Sequence, residues 1–352
     1  MSTALHPPAH IGIRVGGCNA VDGPEDKQEV ELFFAGALSR HRPGIMDVSG
    51  TSGILVLDKR ADMSSAKAVA TVKRILKARK VGHAGTLDPF ATGVLVCCIN
   101  QATRLAQFFL HGRKKYRAVM HLGVETDTQD VTGRVISSTE TVALSADCVS
   151  ATVRQFEGFY WQHPPAYSAL KLRGVPLYRY ARQGRPVQKP PRRVEIETIR
   201  LLGIELPFVR FEVTCSAGTY IRTLCSDIGS RLGCGGHLKE LRRVESGRFA
   251  LADALTLTDL ESLARENRIS TRMVSMADAL PDIPGIVANK SLTHYVKHGR
   301  VVQKNDFDEG SFKEAQGLVK ILDSHRNLLA ILTYQGDSER LSYVCVFNQA
   351  VG

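Results

Sequence analysis

Gly82-His83-Ala84-Gly85-Thr86-Leu87-Asp88-Pro89 is the stretch from which the fold of this chain is read. Gly82 and Gly85 admit backbone conformations that a side chain would forbid. Pro89 fixes its own φ and biases the preceding Asp88 towards extended backbone. Local geometry, rather than a helix or strand, is therefore expected to aim the Asp88 carboxylate. Leu-Asp-Pro alone is a common turn former, so the weight of Asp88 depends on its surroundings.

On the N-terminal side, Ile54, Leu55, Val56 and Leu57 form a short apolar run that predicts a strand. Ser64 or Ser65 can cap a helix whose apolar positions Val69, Val72, Ile75 and Leu76 recur at helical spacing. On the C-terminal side, the continuous apolar run 94–99 predicts a buried strand, and 103–110 predicts a helix. Tyr116, Ala118, Met120 and Leu122 alternate with Arg117, Val119 and His121, as in a strand with two different faces. Strands are expected over 194–204 and 208–215, on either side of Pro207. A helix is expected over 219–232, with Tyr220 and Arg222 in its first turn. Long strands with separated helices indicate an α+β fold.

The ends differ in character. Residues 1–45 mix Pro7-Pro8, Gly16-Gly17 and a charged stretch, with only 30–38 apolar enough for a short helix. They are expected to form a poorly ordered extension, with Met46 as the start codon. The main domain is expected over 46–280. Near Pro281-Asp282-Ile283-Pro284-Gly285 the composition shifts, and 281–352 is expected to be a small β-rich domain. That domain has a short helix over 292–296 and strands over 318–322, 328–333 and 341–347.

A chain of 352 residues accommodates such a division. No run of about eighteen apolar residues occurs, so no membrane span is expected, and the absence of a secretory pattern points to the cytoplasm. The eight cysteines lack C-x-x-C spacing and several sit in apolar runs, which predicts reduced, structural thiols. The eleven histidines show no zinc pattern, so no metal is expected. The formal net charge of +11 fits a polyanionic partner. From Lys171 to Arg193 there are eight basic residues and no acidic one, interleaved with Tyr178 and Tyr180, the pattern of a segment that follows phosphates and offers rings to bases. A second basic run, with Lys67, Lys73, Arg74, Lys77, Arg79 and Lys80, precedes the Asp88 loop.

Five blocks stand in order along the chain. They are Gly53-Ile54-Leu55-Val56-Leu57-Asp58-Lys59 with Met63-Ser64-Ser65; the 82–89 string; Lys115-Tyr116-Arg117 running to Leu122-Gly123 and on to Thr126-Asp127-Thr128-Gln129-Asp130 with Gly133; Gly218-Thr219-Tyr220-Ile221-Arg222; and Leu241-Arg242-Arg243. Across roughly residues 50 to 250 these blocks resemble the TruB family of pseudouridine synthases, which convert the TΨC-loop uridine of tRNA (position 55) to pseudouridine. The resemblance implies a pseudouridine synthase fold, a curved and mainly antiparallel sheet flanked by helices, with a PUA-like RNA-binding module over 281–352. It implies that Asp88 acts at the ribose and that Arg222 pairs with it, since a neighbouring guanidinium favours the charged form of a carboxylate against desolvation. Tyr116 matches the tyrosine that stacks on the target base and is proposed to take the C5 proton. A phenol with a pKa near 10 needs help from its site to do so. His83 matches the histidine that fills the space left by the extruded base. Asp58, Tyr220 and Leu241 match positions near the uridine pocket, and Lys59 is expected to order the loop or touch phosphate.

The reaction breaks the N-glycosidic bond, turns the uracil and joins its C5 to the same sugar carbon. It needs no redox change or external energy, so no cofactor is implied. The carboxylate either attacks the sugar directly or first removes a ribose proton to give a glycal. A monomer acting on tRNA without a protein partner is expected, because Phe90-Ala91-Thr92-Gly93 looks more like the stand-alone enzymes than like those working in guide-RNA particles. A non-catalytic RNA chaperone on the same fold would keep the basic segment without needing Asp88, Tyr116 and Arg222 together. A metal-dependent nuclease using Asp58, Asp88, Asp127 and Asp130 is disfavoured, because these carboxylates lie in separate blocks with no two-metal motif.

Overall fold

Apolar, β-branched residues open the fold. Gly53–Lys59 form β1, which lies antiparallel to β3 (Thr92–Ile99) with Ile54 opposite Cys98 and Asp58 opposite Val94. The structure is a computed structural model describing residues 50–139, 144–307, 317–334 and 340–347. The expected N-terminal extension, its helix over 30–38 and the Met46 start lie outside the described residues. Between β1 and β3 stand helix α1 (Ser65–Ile75) and the three-residue strand β2 (Val81–His83). Ser64 caps α1 by accepting a hydrogen bond from the Lys67 N–H at 3.1 Å, so Ser65 is left for another task. The helix expected over 103–110 is a 3₁₀ turn, Asn100–Leu105, that runs into α2 (Ala106–Leu110).

The alternating run forms β4 (Lys114–Leu122), followed by the hairpin β5 (Val124–Thr126) and β6 (Val135–Ser138), then α3 (Ala146–Arg154) and β7 (Gly158–Gln162). The basic segment carries a two-stranded hairpin, β8 (Lys171–Leu172) and β9 (Val175–Pro176), and the short helix α4 (Leu177–Arg182). Two long strands, β10 (Arg192–Glu205) and β11 (Phe208–Cys215), lead to α5 (Ile221–Arg231). After them come β12 (Gly236–Ser246), β13 (Phe249–Ala250) and α6 (Leu257–Arg265).

Seven strands run β1-β3-β12-β4-β11-β10-β7 across the main sheet, with β2 added on β3 and β13 on β12. Only the β3–β12 pairing is parallel, so the sheet is mainly antiparallel as expected. Bulges between Leu238 and Glu240 and between Arg243 and Glu245 interrupt the β12–β4 ladder, and such insertions bend a strand. One apolar core fills the space between β4, β10 and β11 and helices α3 and α5, around Met120, Phe211, Val153 and Ile228. A second lies under α1 and α6 around Leu55, Val72, Leu95 and Leu260.

The C-terminal β-rich unit is built from β14 (Gly285–Val287), α7 (Lys290–Lys297), β15 (Val302–Gln303), β16 (Gly317–Leu322), β17 (Leu328–Tyr334) and β18 (Arg340–Val346). Its sheet order is β14-β16-β17-β18-β15. Leu322, Leu328, Ile331 and Phe347 share a core with Ile54, Val56, Val94 and Val96, which seats this unit on the face of β1 and β3 away from α1. The buried ammonium of Lys320 fastens the junction by donating to the carbonyls of Ala277 (2.9 Å) and Leu280 (2.6 Å).

The crossing of β3 and β12 is tight. Gly93 has φ +101°, and a Cβ there would lie 2.1 Å from the Arg243 carbonyl oxygen. Left-handed strain and a backbone overlap act together at this site. Gly93→Ala is therefore expected to lower folding stability by at least about 3 kcal/mol, read as a fall in the urea midpoint. An unchanged midpoint would contradict this packing.

Candidate active site

The loop carrying Asp88 is tied down on both sides of that residue. The Ser65 hydroxyl donates to the Leu87 carbonyl (3.0 Å) and accepts from the Leu87 N–H (2.9 Å), so the residue freed from capping α1 clamps the position before Asp88. Lys59, buried at the end of β1, donates to the carbonyls of Pro89 (3.0 Å), Met63 (2.7 Å) and Arg60 (2.9 Å). This places Lys59 behind the loop, ordering it. Arg243, 1% exposed, donates to the carbonyls of Gly85 (2.9 Å), Thr86 (3.4 Å) and Val94 (2.7 Å). Of the two glycines expected to bend the loop, Gly85 has φ +103°, whereas Gly82 sits in β2 opposite Cys98, where the strand supplies its conformation.

Arg222 reaches Asp88 from the first turn of α5. Its Nε lies 2.9 Å from Asp88 Oδ2, and one terminal nitrogen lies 3.5 Å from Oδ1. The other partners of the guanidinium are the carbonyls of Thr128 and Tyr167, both at 2.9 Å, and Asp130 Oδ2 at 3.6 Å. The Arg222 side chain is 4% exposed and that of Asp88 is 34%, so the cation is fixed from behind while the carboxylate faces outward. Asp130 is itself held by Thr128 and by both the N–H and the hydroxyl of Thr132. Arg222 thus sits between two carboxylates and two carbonyls, an arrangement suited to a planar, multidentate donor.

Asp88 opens into a cleft of about 400 Å³ lined also by Tyr116, Tyr220, Leu241, Arg192, Lys114 and Arg243. Tyr116 is on β4 opposite Arg243 of β12. Burial pushes the Tyr116 phenol up, and the Arg243 charge offsets this only in part. Tyr220 is the residue preceding α5 rather than part of its first turn. Its N–H donates to Gln162 Oε1 at 2.8 Å, its carbonyl accepts from Gln162 Nε2 at 3.0 Å, and Arg192 stacks over its ring at 4.7 Å. Lys114 donates to the carbonyls of Leu110 and Gly112 at 2.5 Å each.

Besides Lys59 behind the loop, two of the residues singled out from sequence, Asp58 and His83, lie away from the cleft lining. Asp58 pairs with Arg242 at 2.7 Å, which also reaches Thr92. His83, half-buried on β2, has a buried Nδ1 without a hydrogen-bond partner, and burial followed by the Arg243 charge pulls its pKa down, so its ring is neutral near pH 7. The basic segment starts beside Ser168, Ala169 and Leu170 in the cleft wall and returns to that wall at Arg192. Sequence reasoning assigned no role to Arg243, Gln162 or Lys114. Arg243 stood in a matched block without a role of its own, and Lys114 had a signal in the alternation along β4, which puts it on the same face as Tyr116.

Burial pulls the Lys59 ammonium down to about 8, with Asp88 and Asp62 opposing the shift. An unfolded lysine titrates near 10.4. Between these values the unfolded chain binds more protons, so the contribution of Lys59 to stability rises with pH across that window. Lys59→Met is expected to lower the urea midpoint at pH 7.5, and its gap from wild type is expected to widen by pH 9.5. A narrowing gap would contradict the assignment.

Residues 73–221 match the TruB family pseudouridylate synthase (N terminal domain) model, and residues 222–280 match the tRNA pseudouridylate synthase B C-terminal domain. A tRNA pseudouridine synthase B of Syntrophotalea carbinolica is 47% identical over 235 residues, covering 67% of this chain and 76% of that protein. One of Syntrophus aciditrophicus is 41% identical over 292 residues, covering 82% and 93%. In solved structures, a chain of a Cbf5-Nop10-Gar1 complex is similar with a TM-score of 0.65 at 29% identity, covering 87% of each chain. A fold, a cleft and a sequence that agree over this length place the chain in the TruB family of tRNA pseudouridine synthases.

Proposed function

We propose that this isomerase converts the uridine at position 55 of the TΨC loop of tRNA to pseudouridine, with Asp88 acting at the ribose of a flipped nucleotide. The observation that carries the reading is the outward-facing Asp88 carboxylate held by the buried Arg222 at 2.9 Å, at the mouth of a cleft of about 400 Å³. That volume is of the size that encloses small ligands. Attack at the sugar carbon and removal of a ribose proton to give a glycal both call for a carboxylate at this place. The C1′–N1 bond breaks, uracil turns in the cleft between Tyr116, Tyr220 and Leu241, and C1′–C5 forms. The C5 proton then leaves and N1 gains one. Tyr116 is placed to take the C5 proton once the base lies against it. Burial raises its phenol pKa and the Arg243 charge opposes this, so the phenol gives up its own proton only with the help of that cation.

His83 enters the role of filling the helix or loop position vacated by the everted base, a part its neutral ring and unpartnered Nδ1 suit. The basic segment, anchored at both ends on the cleft wall, is assigned to the tRNA backbone, and residues 281–352 to RNA binding as a PUA-like module. A monomer in the cytoplasm, acting without guide RNA or protein partner and without cofactor, completes the reading. Purified chain alone should form pseudouridine in an unmodified tRNA transcript. Dependence on an added guide RNA would move it to the particle-bound enzymes, and binding without product would make it a chaperone.

A further inference from the structure

Trp161 is the single tryptophan of the chain, and at 67% it is the most exposed large hydrophobic side chain among the described residues. It stands on β7, the last strand of the main sheet, which pairs only with β10 there. Alternation divides this strand. Tyr160 packs its ring edge-on to Phe156, and Gln162 holds the Tyr220 backbone at the cleft, whereas Phe159 (60% exposed) and Trp161 point the other way. Arg193, opposite Trp161 in the ladder, lays its guanidinium 3.9 Å from the centre of the Phe159 ring. Glu195 and Glu197, next on this part of β10, are ion-paired with Arg113.

Two uncovered rings and a stacked guanidinium contribute nothing to the core described above. Their place connects them with the substrate. Arg193 ends the run of eight basic residues without an acidic one, and its neighbour Arg192 lines the cleft and stacks on Tyr220. The aromatic pair therefore lies on the edge strand, on the face opposite the one from which Gln162 and Arg192 reach the cleft, where an RNA that leaves the cleft and overhangs this edge would meet it. Unpaired bases stack on aromatic rings and guanidinium planes without regard to sequence. We propose that Trp161, Phe159 and Arg193 form a stacking platform for an unpaired nucleotide of the RNA substrate, separate from the cleft that receives the target base. The proposal rests on the tRNA reading above.

Because Trp161 is the sole tryptophan, its emission reports this site alone. Full-length protein carrying Asp88→Asn, titrated with an unmodified tRNA transcript, is expected to show saturable quenching of that emission. Trp161→Ala is expected to raise the Kd for the transcript roughly tenfold, the size of one lost base stack, and Trp161→Phe to restore most of the affinity. In the otherwise wild-type enzyme, Trp161→Ala is expected to raise KM with kcat unchanged, which a merely structural role would not do selectively. Unchanged emission at saturation, or a Trp161→Ala protein that binds as wild type, would overturn the platform. A change of oligomeric state in Trp161→Ala with RNA affinity intact would overturn it too, by assigning the patch to a second copy of the chain. Product formation is scored in parallel with the enzyme that keeps Asp88, on the same transcript. Quenching without product would sink the catalytic reading alone, and product without quenching would sink the platform alone.

Discussion

Replacing Asp88 with Asn is expected to lower kcat by about four orders of magnitude or more, the range seen when a reacting group is removed while binding survives. Asparagine keeps the shape of the side chain and removes its charge, so it can neither attack the sugar nor take a ribose proton. The loop should keep its position, because the clamps from Ser65, Lys59 and Arg243 act on the backbone at Leu87, Pro89, Gly85 and Thr86. Arg222 retains the carbonyls of Thr128 and Tyr167 and the Asp130 carboxylate. Affinity for tRNA should therefore stay within about threefold, since phosphate contacts dominate binding. Tritium release from 5-tritiated uridine measures the first quantity and filter binding the second. Turnover by Asp88→Asn within tenfold of wild type would remove Asp88 from the reaction.

Arg222→Met is expected to damage both activity and folding. It leaves Asp130, whose side chain is 6% exposed, without its cation and leaves two carbonyls without their donor. Breaking a buried pair from one side costs about 3–5 kcal/mol. Arg222→Lys separates the two effects. It restores a charge but not the planar fork that spans Asp88, Thr128 and Tyr167, so it should fold nearer to wild type and still turn over about a hundredfold more slowly. Urea midpoints and single-turnover rates on both variants test this. A fully active Arg222→Lys would reduce the role of Arg222 to charge alone.

The legible parts of the sequence were those in which one periodicity ran unbroken. β4 alternates buried and more exposed residues from Lys114 to Leu122, so the side of the sheet on which Tyr116 lies could be read directly. The central strand β12 was not legible. Its residues include His237, Lys239, Glu240, Arg242, Arg243 and Glu245, and two bulges break the period of two that marks a strand. Arg243 belongs to a matched block, but its burial was not legible for the same reason, since an arginine in a polar run reads as surface. In the fold it is 1% exposed and joins the Asp88 loop to the strand opposite Tyr116. Asp88, Tyr116 and Arg222 were found through motif resemblance. The clamps around them came from tertiary contacts that no spacing encodes, such as Ser65 on Leu87 across 22 residues and Arg243 on Gly85 across 158.

Chemical mapping of pseudouridine at single-nucleotide resolution, in an unmodified tRNA transcript incubated with the purified chain alone, meets the central claim head-on. A single new pseudouridine at position 55 of the TΨC loop, absent with Asp88→Asn, is the expected result. Product at another position, product only with added guide RNA, or equal product from Asp88→Asn would contradict it.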